Sequence, residues 1–323
     1  MKKGKVALLI LCLFVGFLSC KKDDVLVVPE IVIRDRAEQQ IIDNDSILAY
    51  LETHYYNKSE FEGNTNPKIA DLTITKITDE VISSDADSLL INAVETHTVA
   101  YADTDYEYYI LRINQGGGEG SPNFSDTVRV IYEGFTLDDK VFDSAVTEVD
   151  FDLVGNGQTT FGLVPIWRKV IPQFETAEGF DELGDGTIAY YNHGTGVMFA
   201  PSGLGYFSNA TGLIPAYSPL IFKFELYHMF VNDHDNDGIP SYLEDLNGDG
   251  EYIVNYADLT DDTDDDTDGD GTPNYVDSDD DGDGILTIYE DINKDGDPTN
   301  DDTNGNSIPN YLDRDDIESN RNN

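Results

Sequence analysis

Three stretches carry the apolar pattern of strands. They are "DYEYYILRI" from Asp105, "DTVRVIYEGF" from Asp126 and "LIFKFELYHMF" from Leu220, all dense in β-branched and aromatic residues. In the second, Val128, Val130 and Tyr132 fall on one side, as the buried face of an antiparallel strand requires. The same reading predicts a β-rich region from about residue 104 to residue 231. Before it, "DNDSILAYLETHYY" puts Leu48, Leu51 and Tyr55 at helical spacing behind the cap-type residues Asn44 and Asp45. "DLTITKI" from Asp71 alternates as a short strand would. Residues 20–103 therefore read as a linker and a small N-terminal region without a catalytic constellation, serving as spacer or oligomer contact.

At the amino terminus the pattern changes kind. Lys2, Lys3 and Lys5 precede a 13-residue apolar run, Val6 to Leu18, too short to span a bilayer comfortably. The run stops at "FLSC", Phe17 to Cys20, which resembles a bacterial lipobox. That resemblance implies a signal peptide over residues 1–19, lipidation at Cys20 and a membrane anchor. Of the two cysteines, Cys12 would leave with the signal, so no disulfide is expected. The "KKDD" at Lys21 to Asp24 resembles surface-export signals of some Gram-negative lipoproteins, which implies an outer-membrane lipoprotein, periplasmic or surface-exposed.

Charge divides the chain again. The formal net charge is −45, and from Asn232 onward 30 Asp/Glu stand against 3 Lys/Arg, so the tail carries −27 of it. Such a tail cannot bind nucleic acid by neutralising phosphates, and metal cations are its natural partners. It contains a countable pattern. Asp233, Asp235, Asp237, Gly238 and Glu244 occupy positions 1, 3, 5, 6 and 12 of a calcium-loop template, and Asp279, Asp281, Asp283, Gly284 and Glu290 do so again. Asp266, Asp268, Asp270 and Gly271 repeat it and end in Asp277. Asp302, Asn304, Asn306 and Asp313 make a weaker copy, with Ser307 where glycine is expected. The loops begin 33, 13 and 23 residues apart, too close for paired EF-hands with their flanking helices. With the recurring "IPSYL", "TPNYV" and "IPNYL", residues 232–323 resemble thrombospondin type 3 repeats, which implies chain wrapped irregularly around structural Ca2+. Few apolar residues per repeat are available to fold it otherwise.

Chemistry in the β-rich region is carried by four pieces in order: "DTVRVIYEGFTLDDKVFDSA", "GLVPIW", "APSGLGYF" and "GLIPAYSPLIFKFEL". Their order and spacing resemble FKBP-type peptidyl-prolyl isomerases. The resemblance implies an α+β fold, an antiparallel half-barrel sheet around one short helix, with a proline-accepting hollow between them. Carried over by position, it implies that Tyr132 and Phe142 line the walls beside Asp143, and that Leu163 and Val164 stand at the edge. Trp167, the only tryptophan, would be the floor, Tyr206 would offer its hydroxyl, Ile214 the far rim and Phe222 part of the wall. The chain departs from the family at Ile166 and Phe207, where glycine is usual, and at Ala216, where proline is usual. It also lacks an Arg in 145–150 to pair with Asp143, and "ETAEGFDELGDGTIAYYNHGTG" from Glu175 is long enough for an extra flap. The "GGGEG" at Gly116 lacks the GK[ST] ending of a phosphate loop and reads as a connection.

The resemblances together imply an isomerase that needs no cofactor for catalysis and assists proline-containing exported proteins at the cell envelope. Two other classes fit the same residues: a proline-segment-binding chaperone without turnover, and a calcium-stiffened structural surface protein.

Overall fold

Alternation in the second predicted strand becomes β5 (Thr127–Thr136), whose inward residues Val128 and Val130 are fully buried. The structure, a computed structural model, describes residues 33–78, 88–157, 162–261 and 263–322, so the apolar run and Cys20 lie outside the described residues. No described helix is long and apolar enough to cross a membrane. In chain order the elements are α1 (Arg36–Thr53), β1 (His54–Tyr56), β2 (Ile74–Lys76), α2 (Leu90–Ala93), β3 (Glu95–Tyr101), β4 (Thr104–Asn114) and β5. Then come β6 (Val141–Asp152), α3 (Ile166–Val170), β7 (Gly179–Glu182), β8 (Ile188–Tyr191), β9 (Gly194–Ala200) and β10 (Leu220–Phe230). Six strands pair antiparallel in the order β3-β4-β9-β10-β5-β6.

The sheet is buried on two faces. One packs Tyr132, Met198, Phe222 and Phe224 against α3, as the FKBP resemblance implies. The other packs Tyr109, Val197, Phe199 and Ile221 against Ile47, Tyr50 and Leu51 of α1. That is why every residue of β9 is buried rather than every second one.

The described part of the N-terminal region thus packs on the sheet, which itself begins at Glu95, inside the span read from sequence as the N-terminal region. The helix also starts earlier than Asn44. Asp35 caps it by accepting from the Glu38 amide (2.9 Å), and Asn44 and Asp45 sit mid-helix, while Tyr55 lies beyond it in β1. Its buried face includes Gln39, Gln40 and Asp43, polar residues that hide the helical period. Asp43 is only 1% exposed and accepts from the amide and hydroxyl of Ser202, tying α1 to the loop before β10. Burial raises its carboxyl above the usual range, partly offset by these donors. The long connection from Glu175 contains the β7–β8 hairpin, whose Tyr190 stacks on Tyr227 (4.6 Å, 18°) and which contributes nothing to the hollow below.

Candidate functional site

Between the sheet and α3 lies a hollow of about 190 Å3. It is lined by Tyr132, Phe142, Asp143, Leu163, Val164, Trp167, Tyr206 and Phe222, together with Phe151 and Gly162. Of the residues expected there, only Ile214 is not in the lining; it is buried at 3% exposure in the same core cluster as Tyr132, Trp167 and Phe222. Trp167, 2% exposed, lines the hollow from the buried side of α3, which it shares with Ile166 and Val170. Its ring meets Tyr132 (5.7 Å, 86°), Phe151 (5.7 Å, 82°) and Phe222 (5.4 Å, 65°) edge to face, the arrangement that aromatic quadrupoles favour. Phe142 meets Phe222 at 5.5 Å and 87°.

Polar groups in the hollow are few and fixed. Tyr132 donates its hydroxyl to Asp143 (2.6 Å), and the other Asp143 oxygen accepts from the Ser144 amide (2.9 Å). Burial, then Asp143, pushes the Tyr132 phenol upward, and the same two causes raise Tyr206. Both phenols stay protonated donors near neutral pH. Tyr206 is 38% exposed and stands at the mouth. Gly134, which sequence reasoning passed over, matters here. A Cβ at that position would lie 2.7 Å from the Phe142 ring and 2.9 Å from Phe222, so only glycine leaves both aromatics in place.

The departures from the family pattern have local accounts. Phe207 keeps a left-handed backbone (φ 47°) where glycine is usual, a conformation costing a non-glycine residue on the order of 1–2 kcal/mol. Its ring is held by Tyr217 edge-on (5.2 Å) and by the Arg36 guanidinium from α1 (4.3 Å). Ile166 is fully buried in the core beside Val170 and Phe174. A larger groove of about 310 Å3, lined by Lys68, Ile131, Glu133, Ala145, Glu225 and Tyr227 among others, is a weaker candidate. Its buried carboxylate, Glu225, is already satisfied by the Ile69 amide (2.7 Å) and the Tyr227 hydroxyl (2.6 Å).

In the tail, the four predicted loops share one backbone plan. Each closes with an amide at position 9 donating to the carbonyl just before the loop: Ser241 to Asn232, Asn274 to Asp265, Thr287 to Ser278 and Asn310 to Asp301. The first aspartate of each loop accepts from backbone amides at its turn, as Asp233 does from Asn236, Asp237 and Gly238. Gly238, Gly271 and Gly284 have φ of 105°, 96° and 96°. Ser307, at the same place in the fourth loop, is forced to φ 77°. Ser307→Gly is therefore expected to stabilise that loop by on the order of 1 kcal/mol; a thermal melt showing no gain would contradict it.

Carboxylate oxygens of Asp233, Asp235 and Asp237 lie within 4.8 Å of one another, as do those of Asp266, Asp268 and Asp270, and of Asp279, Asp281 and Asp283. Both oxygens of Asp235, Glu244 and Glu290 are buried without a hydrogen-bond partner. Burial first, then neighbouring carboxylates, pushes Glu244 to about 11 and Glu290 to about 9. Oxygen-only sets with buried unpaired lone pairs fit a hard divalent cation. Asp277 and the Asp302 set are less well gathered. Asp277 accepts from the Asp279 amide, and Asp313 is taken up by the amide side chains of Asn304 and Asn306.

Two further loops escaped the template: Asp245-Asn247-Asp249-Gly250 and Asp291-Asn293-Asp295-Gly296. Asp245 accepts from Gly248, Asp249 and Gly250, and Asp291 from Asp295 and Gly296, as the first aspartate does elsewhere. The D-x-N-x-D-G signal was present, but Tyr256 rather than an acid stands at position 12 of the first, and Asp265 comes in from outside instead. In the second, position 12 is Asp302, already counted as the start of the next loop.

Residues 234–296 match the family described as BamM C-terminal. The match covers the tail from the first loop into the Asp291 loop and none of the sheet. No curated protein is a match. Among solved structures the chain is similar to peptidyl-prolyl cis-trans isomerase from Pseudomonas syringae pv. tomato, with 21% identity over 38% of this chain and 74% of that one, at a TM-score of 0.29. It is also similar to FkpA from Escherichia coli, with 18% identity over 60% of this chain and 63% of that one, at a TM-score of 0.32.

Proposed function

We propose that the chain is a peptidyl-prolyl cis-trans isomerase for exported proteins, anchored at a Gram-negative cell envelope through lipidated Cys20 and stabilised by calcium in its tail. The observation that carries the enzymatic reading is the Trp167-floored hollow, walled by aromatics and furnished with the fixed Tyr132–Asp143 pair. An X–Pro bond turns over a barrier of about 18–20 kcal/mol because rotation breaks amide resonance. A twisted amide has lost that resonance and its charge separation, so a dry apolar hollow favours it over the planar ground state. The prolyl ring would rest on Trp167, and the Tyr206 hydroxyl at the mouth would donate to a substrate carbonyl. Backbone at Leu163 and Val164 would hold the flanking residues. No nucleophile or cofactor takes part in this scheme. The envelope placement rests on the sequence of residues 1–24, and the calcium reading on the unpartnered buried carboxylates.

The test is prolyl isomerisation of an Ala-Leu-Pro-Phe peptide by the chain from Lys21 onward, in calcium. Acceleration is expected, lost in Trp167→Ala and reduced in Tyr206→Phe. Folded protein that binds the peptide without accelerating it would replace the enzyme with a proline-binding chaperone; folded protein that does neither would leave a structural role.

A further inference from the structure

In three of the predicted tail loops the acids at positions 1, 3 and 5 converge on one point. Position 2 is His234, Thr267 and Thr303 in three of the four loops, and an acid only in the third, Asp280. That carboxylate belongs to no template, yet it is 2% exposed. Its Oδ2 accepts from the Thr287 hydroxyl (3.1 Å), while Oδ1 has no hydrogen-bond partner. The groups it faces come from the first loop. One carboxylate oxygen each from Asp237, Glu244 and Asp280 lie within 4.8 Å of one another. Glu244 is fully buried with both oxygens unpartnered, and Asp237, 1% exposed, has one oxygen unpartnered and the other on the Ile239 amide.

Three carboxylates converging in a dry interior repel one another and have lost their hydration, which disfavours the fold until a cation compensates them. Oxygens that all touch one Ca2+ at about 2.3–2.6 Å stand no more than about 5.2 Å apart, and this trio meets that limit. We propose that a calcium ion sits between the first and third loops, with Asp280 donated as a ligand across the tail. The inference rests on the reading of the tail as calcium-binding and adds a site that loop spacing does not reveal. Asp237 also belongs to the first loop's own cluster, so it would bridge this ion and the loop ion. Glu244 and Asp280 are 36 residues apart. An ion between them closes the intervening chain into a ring, as a disulfide would, restricting the unfolded state most where the ring is long.

The full chain in detergent, its Asp280→Asn variant and its Asp280→Thr variant would be dialysed to equilibrium against about 1 mM radioactive Ca2+. Thr is the residue that two sister loops carry at this position, which guards against a folding failure. Each variant is expected to bind one ion fewer per chain than the wild type. Melts in EDTA give a second readout of opposite sign. With the buried charge removed, the variants are expected to melt at or above the wild-type temperature there, and to gain less on adding calcium. Unchanged ion number would overturn the cross-link, as would an equal loss of melting temperature with and without calcium, which marks a purely structural partner of Thr287. A wild-type chain that binds no calcium would overturn the reading of the tail itself.

Discussion

Chelating calcium from the full chain is expected to lower its melting temperature by about 10 °C and to open the tail to proteases. At a tenfold excess over Kd each ion stabilises the folded state by about 1.4 kcal/mol. The three in-loop clusters together then contribute about 4 kcal/mol, and a unit of this size shifts by roughly 2–4 °C for each kcal/mol. Beyond the ions the tail is held by scattered contacts to the rest of the chain, such as Glu251 on Arg168 and Lys169 and the Tyr275 hydroxyl on the Gly155 carbonyl. Its regular structure is confined to single 3-10 turns such as Ser241–Leu243 and Asn274–Val276, and its charge is −27 by the count of 30 acids against 3 bases. Like charges about 4 Å apart repel by about 4 kcal/mol at the effective dielectric of a protein surface, so each cluster works against the fold until a cation enters. Isolated cleavage within residues 232–323 in EDTA, suppressed by calcium and unaffected by magnesium, is the expected pattern. Identical melts and digests with and without calcium would remove the ion from the account of stability.

What could be read beforehand followed from local periodicity and what could not depended on a second surface. Val128, Val130 and Tyr132 announce their face by alternation, and the aromatics of the hollow sit in short stretches whose order is itself informative. The burial of β9 on both sides cannot be seen in "GTGVMFA", because the helix that covers it hides its buried stripe behind Gln39, Gln40 and Asp43. Gly134 gives no sign of its role until Phe142 and Phe222 are known to pack against it. In the tail, loop positions 1, 3, 5 and 6 are legible from spacing, since the backbone plan is local. Asp265 and Asp280 act outside that plan, across loops, and spacing is silent about them.

Glu251→Gln is expected to destabilise the protein by about 3–5 kcal/mol, the usual penalty for stranding buried partners, and to disturb the floor of the hollow some distance from the substitution. Glu251 reaches from the Asp245 loop to α3. Its carboxylate takes both Arg168 (2.6 and 3.2 Å) and Lys169 (2.7 Å), the two residues that follow Trp167. Lys169 also donates to the Gly250 carbonyl (3.1 Å). These side chains are 9–12% exposed, so solvent screens the contacts little. A neutral amide leaves Arg168 and Lys169 without their carboxylate, and α3, five residues long, then keeps only the burial of Ile166, Trp167 and Val170 to hold it. Because Trp167 is the only tryptophan, its fluorescence reports on α3 alone. In the wild type, chelation is expected to shift that emission, since the loop carrying Glu251 lies between the first and third calcium loops. In Glu251→Gln the emission should already be shifted in calcium and respond little to EDTA. A variant whose Trp167 emission matches wild type, and still moves on chelation, would show that the tail stabilises the sheet without reaching the hollow.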